Sequence, residues 1–191
     1  MRYVRTFEGY FLPEFKLVTS NKRKLREYRE YIPELSSKEG EDLPEVLSDD
    51  VTVAIYKGLD NGPMTISEDT SLEVEGEEIG VNLKWFKSKI HTFVGKKAYW
   101  KVLIAKNDGE NIKIYEGLVE GKIITSEDIS SFDHYFEVTR FGKKLGELKQ
   151  SELHPSLYSA RAMAAKNLRD DKYILSKKIK DVSVWTGKYQ G

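Results

Sequence analysis

One stretch constrains this chain more than any other: the turn Gly62-Pro63, the run Met64-Thr65-Ile66, and then Ser67-Glu68-Asp69-Thr70-Ser71-Leu72-Glu73-Val74. Proline and glycine start a turn, and the β-forming residues after them read as a strand. That strand is expected to end at its adjacent acids, which puts hard oxygen ligands at a strand tip, where loops form open sites. Acid pairs in loops are commonly just solvated. What the rest of the chain sets beside them therefore decides their meaning.

The 191 residues are 39% hydrophobic and 32% charged, enough to bury a core, and a single domain over 1–191 is expected. Thirty-one basic side chains balance thirty-one acidic ones. A dedicated duplex-DNA binder needs a basic excess to displace counterions, so no nucleic-acid partner is expected. The absence of cysteine excludes disulfides, thiolate metal sites and cysteine nucleophiles. Nothing near Met1 has the apolar core of a signal peptide, and no run approaches the roughly 18 apolar residues of a membrane span. A cytoplasmic protein without membrane contact is the expectation.

Residues 1–14 read as an extension. Phe15-Lys16-Leu17-Val18-Thr19 reads as a strand that breaks into Ser20-Asn21, residues suited to a turn or a helix N-cap. Lys22 to Ile32 then has helical spacing through Leu25, Tyr28 and Ile32, with Pro33 as a stop. Lys22, Arg23, Lys24 and Arg26 oppose the dipole at that helix start, an unfavourable choice unless an anion binds there. A solvated basic face is the plainer alternative. Val51 to Leu59 is predicted helical, and Gly80 to Phe86 starts another helix. Ala98 to Lys106 and Ile112 to Tyr115 read as strands joined by the hairpin signal Asn107-Asp108-Gly109. Gly117 to Ile124 continues as a strand with glycines where the backbone must bend. Tyr158 to Ala165 begins an alanine-rich helix. In the tail, 177–191, Val182-Ser183-Val184-Trp185 could be a strand.

Glu45 follows a second turn, in Glu41-Asp42-Leu43-Pro44-Glu45. Together with Asp69 and several isolated lysines and arginines it suggests a metal–polyphosphate site, because a triphosphate needs Mg²⁺ held by carboxylates and cationic side chains for its remaining charge. No Gly-x-x-x-x-Gly-Lys-Ser/Thr run occurs, which excludes a P-loop enzyme. His91, His134 and His154 are scattered and have no zinc-site spacing.

The order of these motifs resembles the inosine triphosphate pyrophosphatase family, which hydrolyses non-standard purine nucleoside triphosphates. Thr19-Ser20-Asn21-Lys22-Arg23-Lys24-Leu25-Arg26-Glu27 is similar to its Thr-Gly-Asn-x-x-Lys-x-x-Glu, with Ser20 for glycine. Asp42-Leu43-Pro44-Glu45 stands intact, Lys57 falls where the family has a phosphate-contacting lysine, and Glu68-Asp69-Thr70-Ser71-Leu72 matches Glu-Asp-Thr-x-Leu. Leu83-Lys84-Trp85-Phe86 stands for Ile-Lys-Trp-Phe, and Tyr115 to Ile123 resembles the family's glycine-bearing strand. The likeness runs from about Phe15 to Leu168. It departs in the late segments that hold the base in the family: Gly-Trp/Tyr-Asp-Pro becomes Ser131-Phe132-Asp133-His134, and Ser-His-Arg becomes Ser159-Ala160-Arg161.

The resemblance implies an α/β fold, a long mixed sheet flanked by helices in two lobes around a nucleotide cleft, and a homodimer. It implies that Glu45 and Asp69 hold Mg²⁺ with Glu68 nearby, and that Asp69 orients or deprotonates the attacking water. Thr19, Asn21, Lys24, Lys57 and Thr70 would hold phosphates, with Lys84 also reaching the nucleotide. Phe132 would stack on the base, and Asp133 and Arg161 would contact its edge, supported by Ser159. The substrate would be a nucleoside triphosphate such as that of inosine, deoxyinosine or xanthosine, cleaved to monophosphate and pyrophosphate. With Ala160 in place of histidine the base pocket is altered, so another modified or standard nucleotide is an alternative. Two further alternatives are a non-catalytic nucleotide binder that kept the fold and the septum-formation-inhibitor-like pyrophosphatases of similar fold, against which Glu-Asp-Thr and Lys-Trp-Phe argue.

Overall fold

In the computed structural model, residues 14–40, 44–76, 89–128 and 131–190 are described. Local signals set the first elements. Strand β1 (Lys16–Val18) leads into helix α1 (Lys22–Arg29), where the Asn21 side-chain oxygen accepts from the Arg23 and Lys24 backbone N–H groups as N-cap. The helix stops at Arg29, short of Ile32: the N–H groups of Tyr31 and Ile32 both turn back to the Tyr28 carbonyl ahead of Pro33. Strand β2 (Ser36–Lys38) follows, then α2 (Asp50–Asp60), N-capped by Asp49, whose carboxylate accepts from the Thr52 N–H and hydroxyl.

Strand β3 (Thr65–Val74) corrects the first expectation. It does not end at its acids but runs through them, paired residue for residue with β4 (Lys97–Asn107) from Thr65↔Asn107 to Val74↔Ala98. The strand can continue because each of the two acids finds cationic partners off the sheet. Asp108 then closes a tight turn by accepting from the Glu110 and Asn111 N–H groups, and β5 (Asn111–Ile123) returns as one strand, paired with β4 without a break through Glu116 and Gly117. Its glycines stand within an unbroken ladder to β4. They admit neighbours: a Cβ on Gly117 would collide with the Ala160 carbonyl oxygen, and one on Gly121 with the Glu137 carbonyl and the Phe136 ring.

Strands β6 (Phe136–Val138) and β7 (Lys143–Lys144) extend the sheet. Helix α3 (Leu145–Lys149) and helix α4 (Ala160–Arg169) follow. Strand β8 (Leu175–Lys178), absent from the sequence expectations, pairs with the Asn111–Ile114 end of β5, while β6 pairs with its Gly121–Ile123 end. The strand expected at 182–185 does not form: Ile179–Asp181 is a 3₁₀ turn, and Val184 after it points into solvent. The sheet order is β2-β1-β3-β4-β5-β6-β7, with β1 parallel to β2 and β3 and the other pairings antiparallel. This is the mixed, helix-flanked sheet that the resemblance implied.

Two apolar clusters lie on the two faces of that sheet. The larger gathers Leu17, Tyr28, Ile66, Leu72, Ile104, Tyr115 and the alanines of α4; the smaller packs Ala54 and Ile55 of α2 on Leu103, Ala105, Ile112 and Ile114. Among the described residues no helix is long and apolar enough to cross a membrane. The extension up to residue 13, the Asp42-Leu43 pair and the expected helix at 80–86 with Lys84 lie outside the described residues.

Candidate active site

Side chains alternate across a strand, so Glu68 and Asp69 leave β3 on opposite faces of the sheet. Glu68 shares its face with Ile66 and Leu72 of the larger cluster, and Asp69 faces α2. The structure therefore does not bring Glu68 together with Asp69 and Glu45, although all three were expected around one ion.

The Glu68 side chain is only 3% exposed, and four groups donate to or pair with its carboxylate. The Arg161 guanidinium reaches Oε2 at 2.8 Å through Nε and Oε1 at 3.1 Å through Nη2. Lys24 lies 3.0 Å from Oε1, the Tyr28 hydroxyl donates to Oε2 at 2.7 Å, and the Thr70 hydroxyl donates to Oε1 at 3.1 Å. Burial acts against the charge, but the attraction and hydrogen bonds of Arg161, then Lys24 and Tyr28, outweigh it and hold the Glu68 carboxyl down at about 2. Tyr28 moves the other way: burial and the neighbouring Glu68 charge push its hydroxyl well above the ordinary tyrosine range. Arg161 also donates through Nη1 to Glu27 at 2.6 Å, and the two carboxylates overcome its burial and raise its pKa further. The approach that makes this possible is the one at Gly117, where the missing side chain lets the start of α4 lie on β5.

On the other face the Lys57 ammonium, from the last turn of α2, bridges two carboxylates, Glu45 Oε1 at 2.7 Å and Asp69 Oδ1 at 3.1 Å. Burial disfavours its charge, but Asp69 and Glu45 outweigh that and raise its pKa. The Asp69 side chain keeps 21% of its exposure and Glu45 38%, so water reaches these carboxylates and does not reach Glu68. Among the described residues no group of three histidine, aspartate or glutamate side chains is close enough together to hold a metal ion. The pair at Lys57 is the arrangement in which two expected ligands meet.

The remaining expected residues hold local structure. Thr19 Oγ1 accepts from the Asn21 N–H at 3.1 Å, and Asn21 caps α1. Ser159 caps α4 through the Ala162 N–H, and Ser131 caps the 3₁₀ turn Phe132–His134. Phe132 stacks on Phe136 at 4.7 Å between ring centroids and meets Trp100 and Tyr135 edge-on. Asp133 is paired with Lys149 at 2.6 Å. The sequence reading missed Tyr28 and Lys149 as partners of site residues and left Glu27 without a role. Glu27 sits one turn after Arg23, to which it is paired at 3.5 Å, but nothing local foretells its contact with Arg161.

A family model described as the Ham1 family matches residues 15–171. The chain belongs to the Ham1 family. This is the family of inosine triphosphate and other non-standard purine nucleoside triphosphate pyrophosphatases, as the motif order implied. Membership supports, in general terms, a nucleoside triphosphate pyrophosphatase among the hydrolases. No curated protein matches the chain. The Ham1 match takes in both faces of β3, from Lys24 through Arg161, and stops before the segment 183–190.

Proposed function

We propose that this Ham1-family chain is a Mg²⁺-dependent pyrophosphatase that cleaves nucleoside triphosphates such as those of inosine, deoxyinosine or xanthosine to monophosphate and pyrophosphate. One observation carries the proposal: Glu45 and Asp69 converge on a single cation, Lys57 Nζ, at a place open to water. Two carboxylates gathered about one positive charge fit Mg²⁺, which typically takes one or two carboxylates and leaves its other positions to water and substrate phosphates. Glu45 and Asp69 would hold the ion, which when bound supplies positive charge against the polyphosphate and its leaving group.

Asp69 is the group that orients the attacking water and accepts its proton at a carboxylate oxygen. The water oxygen bonds to the α-phosphorus, the bond from that phosphorus to the oxygen bridging the β-phosphate breaks, and its electron pair leaves with pyrophosphate. Lys57 and Lys24 offset the charge that gathers there, with Thr19, Lys84 and the amide N–H₂ of Asn21 as further donors and Thr70 joining them by exchanging its bond to Glu68 for one to phosphate. Glu68 serves this arrangement by orienting Lys24 and Arg161 rather than by meeting the ion. Three of the five Arg161 N–H groups are taken by Glu68 and Glu27, which leaves two on a rigid guanidinium to meet an acceptor such as a 6-oxo group. A 6-amino group in that place leaves the donors unpaired, at about 1–3 kcal/mol. Phe132, Asp133 and Ser159 complete the base end, and Ala160 makes it less selective than the family pattern. We further propose that the protein works as a homodimer in the cytoplasm.

The test is pyrophosphate release with Mg²⁺ from inosine, deoxyinosine, xanthosine and all standard triphosphates, with Asp69→Asn as control and sedimentation for the dimer. Release lost in the variant, with nucleotide binding kept, supports the pyrophosphatase. Binding without release in the parent favours a nucleotide binder. A sharp preference for inosine and xanthosine triphosphates removes the relaxed base pocket.

A further inference from the structure

The segment 183–190 lies beyond the residues the Ham1 model matches, yet it touches both sides of the Lys57–Glu45 contact. We infer that this segment is a positioning strap for the phosphate end of the site, with Trp185 and Gln190 as positioning residues for Glu45 and Lys57. The inference rests on the proposed function.

One anchor is on α2. The Tyr56 hydroxyl donates to the Ser183 carbonyl at 2.7 Å, and the Tyr56 ring meets the Trp185 indole edge-on at 5.2 Å between centroids. Tyr56 immediately precedes Lys57. The indole N–H then donates to the Lys188 carbonyl at 3.0 Å and closes a turn over Gly187, where a Cβ would collide with the Trp185 ring.

The other anchor is on Glu45 itself. The Gln190 N–H donates to the Glu45 carbonyl at 2.7 Å, and its side-chain amide donates to the Val46 carbonyl at 3.1 Å. The Leu47 N–H donates to the Lys188 carbonyl at 2.9 Å, and Val46 and Tyr189 form an antiparallel bridge. Glu45 belongs to no helix or strand, so these backbone bonds to the strap set where its carboxylate stands. Within the strap Val184 is 87% exposed and Tyr189 half exposed, while Trp185 is partly buried against Tyr56. The strap's contacts with Glu45, Val46 and Leu47 are hydrogen bonds to their backbone, which fix the course of the chain at Glu45. Removing groups that orient a metal ligand from outside its coordination commonly changes affinity or activity by about 10–100-fold, and the strap would act in this way through the Glu45 backbone.

The experiment compares the full chain with Trp185→Ala, Gln190→Ala and the conservative Trp185→Phe. Mg²⁺ affinity is measured by calorimetry with the α,β-imido analogue of inosine triphosphate, in which the cleaved bridge is blocked, alongside the Mg²⁺ dependence of turnover and thermal melting. Trp185→Ala is expected to weaken Mg²⁺ binding about tenfold, with Gln190→Ala affected less. Trp185→Phe, which keeps the ring against Tyr56, should recover most of the loss, and melting should change little. Unchanged Mg²⁺ affinity and turnover in Trp185→Ala, in a parent that binds and turns over nucleotide, overturns the strap alone. Losses that appear only in step with lowered melting overturn it as well. A parent with neither Mg²⁺-dependent binding nor turnover overturns the proposed function and this inference together.

Discussion

Glu68 and Asp69 are neighbours in one strand with the same functional group, and the two faces of the sheet treat them in opposite ways. Glu68 is sealed under α1 and α4 with Arg161, Lys24, Tyr28 and Thr70 around it. Asp69 opens toward water and shares one lysine with Glu45. A buried charge must be answered by partners or it destabilises the fold, whereas a partly exposed one keeps the freedom to meet a ligand. Within one acidic motif, then, the first carboxylate is spent on buried ion pairs and the second keeps the exposure that the proposed chemistry needs.

Asp69→Asn challenges that contrast most directly. Turnover should fall by about 10²–10⁴-fold, the usual range for a positioned acid or base, while nucleotide binding persists. Unfolding in denaturant should move by no more than about 1 kcal/mol, because the Lys57 pair is partly exposed. Surviving turnover would dissolve the assignment of chemistry to this face.

Glu68→Gln should show the reverse pattern. Leaving Arg161 and Lys24 without their shared anion should cost about 3–5 kcal/mol in urea unfolding. The dependence on pH follows from its depressed pKa: from an ordinary 4.5 the carboxyl is held at about 2 in the folded chain. Its stabilisation is thus complete above about pH 4.5 and fades as the pH drops toward 2, so parent and variant should converge in stability across that window. Constant separation from about pH 6 to about pH 2 would mean that the carboxylate charge is not what holds this face.

Gly117→Ala probes the sealed face from a distance. The added methyl meets the Ala160 carbonyl, so α4 must shift and carry Arg161 away from Glu68. A loss of about 1–3 kcal/mol is expected, as for overpacking elsewhere, with a further loss of activity. Tyr28→Phe is the mildest change. It removes one of four partners of Glu68 and should cost about 1.5 kcal/mol in chemical denaturation, with turnover close to that of the parent.

Much of the scaffold was legible because its signals are local. Asn21 announces α1 by its capping chemistry, Asp108-Gly109 announces the β4–β5 hairpin, and the alanines of 160–165 announce α4. The misreadings have a common cause. The acids of β3 look like a strand end, since carboxylates are poor strand formers, yet the pairing with β4 and the distant cations override that preference. The glycines of β5 look like bends, but they are spaces for Ala160, Glu137 and Phe136, which only the packed chain brings there. Strand β8 and the strap at 183–190 lack an alternating pattern because they lie at an edge and on a surface.

The donor set, the order of motifs and the adjacency of Glu68 and Asp69 are written in the chain itself. So are the turns and caps that start each element, since these depend on residues a few positions apart. Which carboxylate is sealed and which is open was left to the packing of the whole molecule. The partners that settle it lie far off in the chain, Arg161 at 93 residues from Glu68 and 134 from Glu27. No local periodicity encodes such a meeting; it exists once the sheet gives its two faces to different helices and the strand runs on through its acids.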